Sequence, residues 1–253
     1  MTDNSILYNF SDFTHKHFRE ILTIAKINSQ FISYNNLDIK SNTNIILCRH
    51  DVDLSMHEAL NLARIENELD VKSTFFLLFH SEFYNLLEKP ITDLVKEIIL
   101  LGHNIGLHFD PVFYNIKNSE ELEIWLTFEK EILQKIFNIK ISVFSFHNPT
   151  EDMLRYDDYS YSSMINCYAK DIKLAITYCS DSNGYWRFKR MFDLISIEKP
   201  AKLQMLTHPE WWTLKTMSPK EKVWLSIDGR AKFYKSEYIK LMKLFGRTII
   251  DWD

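Results

Sequence analysis

Five short apolar runs in this chain each end in His or Asp, and that recurrence limits the folds open to it. The first, Ile45-Ile46-Leu47, runs into Cys48-Arg49-His50-Asp51-Val52-Asp53. The others are Ile105-Gly106-Leu107-His108-Phe109-Asp110, Val143-Phe144-Ser145-Phe146-His147, Thr177-Tyr178-Cys179-Ser180-Asp181 and Leu203-Gln204-Met205-Leu206-Thr207-His208. Carboxylates and imidazoles at the ends of buried strands are costly to desolvate unless something pairs with them. A single such end reads equally well as a solvated acidic turn or as part of a metal site. Five of them favour a shared site.

Helical patterns separate these runs. Phe18, Ile21, Leu22, Ala25 and Phe31 recur at helical spacing over residues 15–33. Ser55-Met56-His57-Glu58 reads as a capping box opening a helix that runs to about Leu69. Pro90 to Leu101 is helical, with Gly102 placed to end it, and Ser119 to Phe137 reads as a long helix. Ser73 to Phe79 adds a continuously apolar strand, the pattern of one covered on both faces. Short apolar strands alternating with helices predict a parallel α/β sheet. Parallel strands put their C-terminal ends on one side, so the His and Asp residues converge on the face where barrels of this kind carry active sites.

About six such strands are countable, which predicts an irregular parallel (β/α) barrel of six to seven strands rather than an open doubly wound sheet. No GxGxxG or GxxxxGK[ST] motif occurs, so a nucleotide-binding sheet lacks its main support. With only 5 Gly and 6 Pro and no linker-like tract, the 253 residues read as a single domain. Residues 1–40 form a helical extension of it, and residues 216–253 a C-terminal helical segment packing on the barrel. The basic run Lys215–Lys222 reads as a solvated helix face.

A net charge of -4 gives no electrostatic case for nucleic acid or an anionic membrane. Three cysteines without a CxxC pair argue against a disulfide framework and for a reducing, cytoplasmic setting. The polar start Met1-Thr2-Asp3-Asn4-Ser5 is not that of a signal peptide, and no apolar stretch approaches about 20 residues, so no membrane span is expected. No Gly-x-Ser-x-Gly elbow is present to support serine-esterase chemistry.

The strand-end acidic motif, Gly102-His103-Asn104-Ile105-Gly106-Leu107-His108 and the later Leu206-Thr207-His208-Pro209 together resemble the polysaccharide deacetylase superfamily, also called the NodB-homology fold. The resemblance covers roughly residues 45–212. It implies a deformed (β/α) barrel and a divalent metal, most often zinc, used to hydrolyse N-acetyl or O-acetyl groups on sugars. Family members open with adjacent Asp residues, a general base and then a metal ligand. Here Val52 separates them, so the base role passes to Asp51 and the ligand role to Asp53, with their order open. His108 matches the first histidine of the family's paired metal ligands, but the second is missing, and Phe109-Asp110-Pro111 follows instead. Asp110 or His147 could replace it; an Asp53, His108 and His147 site is favoured, because His147-Asn148-Pro149 falls at another strand end. By the same resemblance His208 is the general acid that protonates the leaving group.

Around this centre Arg49, Asp110, Asp181, Trp186, Arg187 and Trp211 are candidates for substrate binding, since rings pack on sugar faces while Asp and Arg hold hydroxyls or a phosphate. Arg49 reads alternatively as the charge partner that keeps Asp51 ionised, and Trp186, Trp211 and Trp212 as barrel-capping core. The expected activity is metal-dependent removal of an acetyl or similar small acyl group from an amino sugar or sugar nucleotide in surface-glycan synthesis. The alternatives are hydrolysis of another C–N amide bond, or a catalytically silent carbohydrate-binding barrel.

Overall fold

The computed structural model describes residues 8–186 and 189–247, so Arg187 lies outside the described residues. Its centre is β2 (Ile45–Val52), every residue of which is buried. An all-apolar start suits a strand covered on both faces. Around it stand β3 (Thr74–Leu78), β4 (Asn104–Phe109), β5 (Val143–Phe146), β8 (Thr177–Ser180) and β9 (Lys202–Thr207), with short β1 (Gln30–Phe31), β6 (Ser160–Tyr161) and β7 (Met164–Asn166). The sheet runs β6-β7-β5-β4-β3-β2-β9-β8, and β1 pairs with the start of β2. Every pairing is parallel except β6 with β7. Eight parallel strands and the antiparallel β6 therefore form a curled sheet, with β8 at one edge and the β6–β7 hairpin at the other. This is the irregular parallel α/β architecture expected from the sequence.

The helices are α1 (His15–Asn28), α2 (Met56–Glu68), α3 (Lys89–Leu100), α4 (Ser119–Phe137), α5 (Lys170–Ala175) and α6 (Pro219–Leu244). Their starts follow local chemistry. Thr14, Ser55 and Asn118 each accept a hydrogen bond from the backbone N–H three residues on, at α1, α2 and α4. Only half of the capping box expected at Ser55 forms, because the Glu58 carboxylate goes instead to His15 and Asn61. The complete box is at α6, between Ser218 and Glu221. Strand β8 follows α5 directly and starts at Thr177, the first residue of its apolar run.

Alternation along β2 divides the core. Ile46 and Cys48 pack outward with α1 residues Phe18 and Leu22. Leu47 points inward, where it joins Tyr34, Phe76 and Val143. Gly106 is required on that inner face: a Cβ there would lie 2.5 Å from the Phe76 ring. Gly102 has φ +85°, the left-handed turn that takes the chain from α3 into β4. Lys222 departs from the solvated face expected of its basic run. It is 1% exposed, and its ammonium donates to the Phe13 and Trp211 carbonyls. Burial lowers its pKa to about 8.

Candidate active site

The C-terminal ends of β2, β4, β5, β8 and β9 open into a cavity of about 520 Å3 lined by Asp51, Asp53, His108, Asn148, Tyr168, Tyr178 and His208, among others. Parallel pairing explains the convergence. His108 lies opposite Ser145 in the β4–β5 register, and β2 stands between β3 and β9.

Asp53, just past β2, is the meeting point. Its Oδ1 lies 3.1 Å from His108 Nε2 and 3.4 Å from His147 Nδ1. The two imidazole nitrogens are 3.3 Å apart, with their rings nearly perpendicular. Asp53 Oδ1 is buried and takes no well-directed hydrogen bond. Burial pushes this carboxyl's pKa up, but the two facing imidazoles outweigh it and hold the pKa well below the usual carboxylate range. Burial alone would lower the His147 pKa, yet Asp53 raises it. An orphaned carboxylate oxygen with two converging imidazoles is the donor set of a divalent cation, and these three residues lie close enough to share one. The fit to a metal is good.

The outer nitrogen of each histidine is also held. His108 Nδ1 lies 2.8 Å from Ser145 Oγ, which in turn reaches Asp51 Oδ1 at 3.4 Å. His147 Nε2 lies 2.9 Å from the Asn148 amide, and its backbone N–H donates to the Phe109 carbonyl. Such partners fix ring orientation and tautomer at metal sites.

Asp51 sits beside the three candidate ligands rather than among them, with Oδ2 3.8 Å from His108 Nε2. Arg49 Nη2 donates to the same oxygen at 2.7 Å. The guanidinium is fully buried between the Phe76 and Tyr168 rings, at 5.4 and 5.2 Å from their centroids. Burial raises the Asp51 pKa, and Arg49 and His108 more than offset this, leaving it below the usual range.

On the other side, His208 Nε2 faces Asp53 Oδ2 at 4.0 Å. Its Nδ1 lies 2.7 Å from Asp181 Oδ1. Asp181 is fully buried and also accepts from the His208 backbone N–H and from Trp212 Nε1. Burial alone would lower the His208 pKa, but the Asp181 carboxylate raises it to about 10. Glu210, close by, is 3% exposed, and its Oε2 has no hydrogen-bond partner. Burial, with Asp53 next, pushes its pKa well above the carboxylate range.

The remaining candidates lie at different depths. Arg49 and Asp181 are beneath the cavity, each holding a site residue, and neither is exposed to a ligand. Asp110 Oδ1 accepts from the Val112 and Phe113 backbone N–H groups, which fixes the turn after β4. Trp186 stacks on Phe13 and donates to Asp12, and Trp211 packs against the buried Gly184 backbone; neither lines the cavity. Tyr168, Tyr178 and Asn148 line it instead. Sequence reasoning passed over these three, along with Ser145 and Glu210. The signal for Ser145 was a hydroxyl inside an otherwise apolar strand run.

A second group of potential ligands, Cys48, His50 and Glu66, lies on the outer side of β2. Here the polar atoms satisfy one another. His50 bridges Glu66 and Thr207 at 2.8 and 2.6 Å, while Ser73 donates to Glu66 at 2.6 Å. His103 adds Nε2 against the Ala63 carbonyl at 3.0 Å. This is a hydrogen-bonded core pinning β2 to β9 one residue away from both Asp51 and His208.

No protein-family model matches the chain. No curated protein matches it in sequence. Among solved structures, it is similar to a mutant of a family 4 carbohydrate esterase pseudoenzyme from Bacillus anthracis, a mutant with restored enzymatic activity (15% identity, TM-score 0.43). That match covers 77% of this chain, which spans 64% of the length of the other. It is also similar to the peptidoglycan deacetylase PdaC from Bacillus subtilis (11% identity, 83% of this chain and 98% of that one, TM-score 0.44). A third similarity is to a family 4 carbohydrate esterase from Bacillus anthracis (18% identity, 83% and 85% covered, TM-score 0.39). Similarity at this level leaves the reaction to be read from the side chains.

Proposed function

We propose that the chain is a metal-dependent hydrolase that removes an acetyl or similarly small acyl group from an amino sugar or sugar nucleotide. The observation that carries this reading is the orphaned Asp53 Oδ1, faced by two imidazole nitrogens within 3.4 Å at the floor of an open cavity. Asp53, His108 and His147 would hold the cation, which zinc suits best given one oxygen and two nitrogen donors. When bound, it supplies Lewis-acid polarisation of the acyl carbonyl.

The chain's own residues divide the proton transfers between two sides of that centre. Asp51, held ionised by Arg49, accepts the proton of the attacking water. His208, charged at neutral pH through Asp181, presents Nε2–H to the leaving amine or alcohol. Tyr168 and Tyr178 give the cavity aromatic walls of the kind on which sugar rings pack. A cytoplasmic setting and a soluble precursor as substrate agree with three buried cysteines that are all free thiols. No helix among the described residues is long and apolar enough to cross a membrane.

Metal analysis of the purified protein, paired with an acetyl-release assay on N-acetylated sugars and sugar nucleotides, tests the reading. Stoichiometric metal that is lost in Asp53→Ala, with turnover lost in Asp51→Asn and His208→Ala, is the expected result. Absence of bound metal after incubation with zinc, nickel or cobalt would overturn it. Sugar binding without turnover would favour a silent carbohydrate-binding barrel.

A further inference from the structure

Helix α6 carries two apolar faces. One lies on the barrel, where Leu225, Gly229 and Phe233 line a cavity of about 490 Å3 shared with α2 and α3. The other follows a different rhythm. Trp224, Ile227, Ala231, Tyr234, Tyr238, Leu241 and Phe245 succeed one another at steps of 3, 4, 3, 4, 3 and 4 residues. At about 100° per residue, most of that stripe turns away from the cavity; Tyr234, at its edge, also donates its hydroxyl to Glu88 in the cavity lining, and Ile227 is half-buried. Trp224 is 51% exposed, Tyr234 44%, Leu241 46% and Phe245 63%. Alternating steps of three and four are the seam of a coiled coil, which buries itself against a second helix of the same period.

The charges beside the seam say which helix. We propose that two copies of this chain pair through α6 as antiparallel helices about a two-fold axis. Setting Trp224 against the partner's Leu241 also sets Ile227 against the partner's Tyr238 and Ala231 against the partner's Tyr234. Small then meets large in the central layer. In this register Asp228 lies beside the partner's Lys235 and Arg230 beside the partner's Glu237, and symmetry doubles each pair. At the rim, Val223 meets the partner's Leu244. A parallel pairing instead puts Arg230 beside the partner's Lys235, a like-charge contact that opposes it.

The monomer leaves room for these pairs. Arg230 uses Nη2 for Glu88 and Tyr234, and Glu237 is held by Lys240 within the helix. A guanidinium has further N–H groups and a carboxylate a second oxygen, so each can take a partner across the seam. Asp228 and Lys235, seven residues apart on one helix, are two turns from each other, and the dimer brings each beside an opposite charge of the partner. In the dimer one face turns to its own barrel, still partly open at Leu225 and Phe233, and the other joins two barrels.

Sedimentation equilibrium of the 253-residue chain at tens of micromolar tests this. A dimer is expected, and Leu241→Glu at the exposed seam is expected to weaken it by at least about tenfold while circular dichroism stays unchanged. Lys235→Glu should weaken it by about tenfold, and adding Asp228→Lys should restore it to within about threefold. Spin labels on Lys243→Cys should lie about 30 Å apart, whereas a parallel pair holds them within about 20 Å. A monomer, a dimer indifferent to Leu241→Glu, a short label distance, or monomeric protein captured by anionic vesicles would each overturn the proposal.

Discussion

His208 Nδ1 lies 2.7 Å from Asp181 Oδ1, and Asp181 reaches it from the neighbouring strand β8 rather than from its own. Asp181 also fixes the His208 backbone N–H and Trp212 Nε1, so a single buried carboxylate sets both the place and the charge of the imidazole.

Its removal has a defined consequence. The folded pKa of about 10 stands above the ordinary histidine value near 6.5. The pair's stabilisation is therefore fully present below about pH 6.5 and is lost as pH rises through about 10. In Asp181→Asn the His208 imidazole should titrate back toward 6.5, and the alkaline limb of activity should move down with it. NMR titration of the metal-free protein reads the first effect, and an unchanged pKa would contradict the assignment.

Ser145 links His108 Nδ1 to Asp51. We predict that Ser145→Ala leaves the fold intact but frees the His108 ring to turn, lowering metal affinity by about 10–100-fold. Competition with a chromogenic chelator measures it. Affinity within about twofold of the parent would mean that the hydroxyl does not orient the ring.

Much of this site was legible because its members end separate apolar runs. Asp53, His108 and His147 each terminate a recognisable strand pattern, and parallel order then brings strand ends together. Asp181 also ends such a run, but sequence cannot say that β8 lies beside β9, so its hold on His208 was invisible and it read as a substrate contact. Arg49 offered two readings because charge carries no depth, and only burial between Phe76 and Tyr168 separates them. The strands β1, β6 and β7, of two or three residues, are too short to express any period. Trp186 and Trp211 sit near the right strand ends in sequence, yet pack into the core beside Phe13 and Gly184.

Glu66 anchors the outer face of β2, with its oxygens on His50 and Ser73. Burial raises its pKa, but His50 lowers it further, so the net shift is down. Its contribution is therefore present above the unfolded carboxylate value near 4.3 and is lost as pH falls through the lower folded value. Glu66→Ala strands the buried His50, Ser73 and Cys48 groups that bond to it and should cost about 3–5 kcal/mol in thermal or urea unfolding. Glu66→Gln, which keeps an acceptor, should cost less. Equal losses in the two variants would show that packing rather than hydrogen bonding is at stake.

Arg49 and Asp51 make the deepest ion pair of the site, at 2.7 Å and essentially without exposure. Burial by itself raises the Asp51 pKa, and the guanidinium is the first of the groups that bring it down. Arg49→Met keeps the side chain's length between the Phe76 and Tyr168 rings but removes the charge. The carboxylate should then hold its proton to higher pH, and the acidic limb of kcat/KM should move up by at least about one unit, since removing one partner of a buried pair typically costs 3–5 kcal/mol while one unit takes only about 1.4. Because Asp51 must be ionised to accept a proton in the proposed reaction, activity near pH 5 should suffer most and should recover in part as pH rises. A uniform loss across the profile, with no displacement of the limb, would show that Arg49 shapes the site without setting the charge of Asp51.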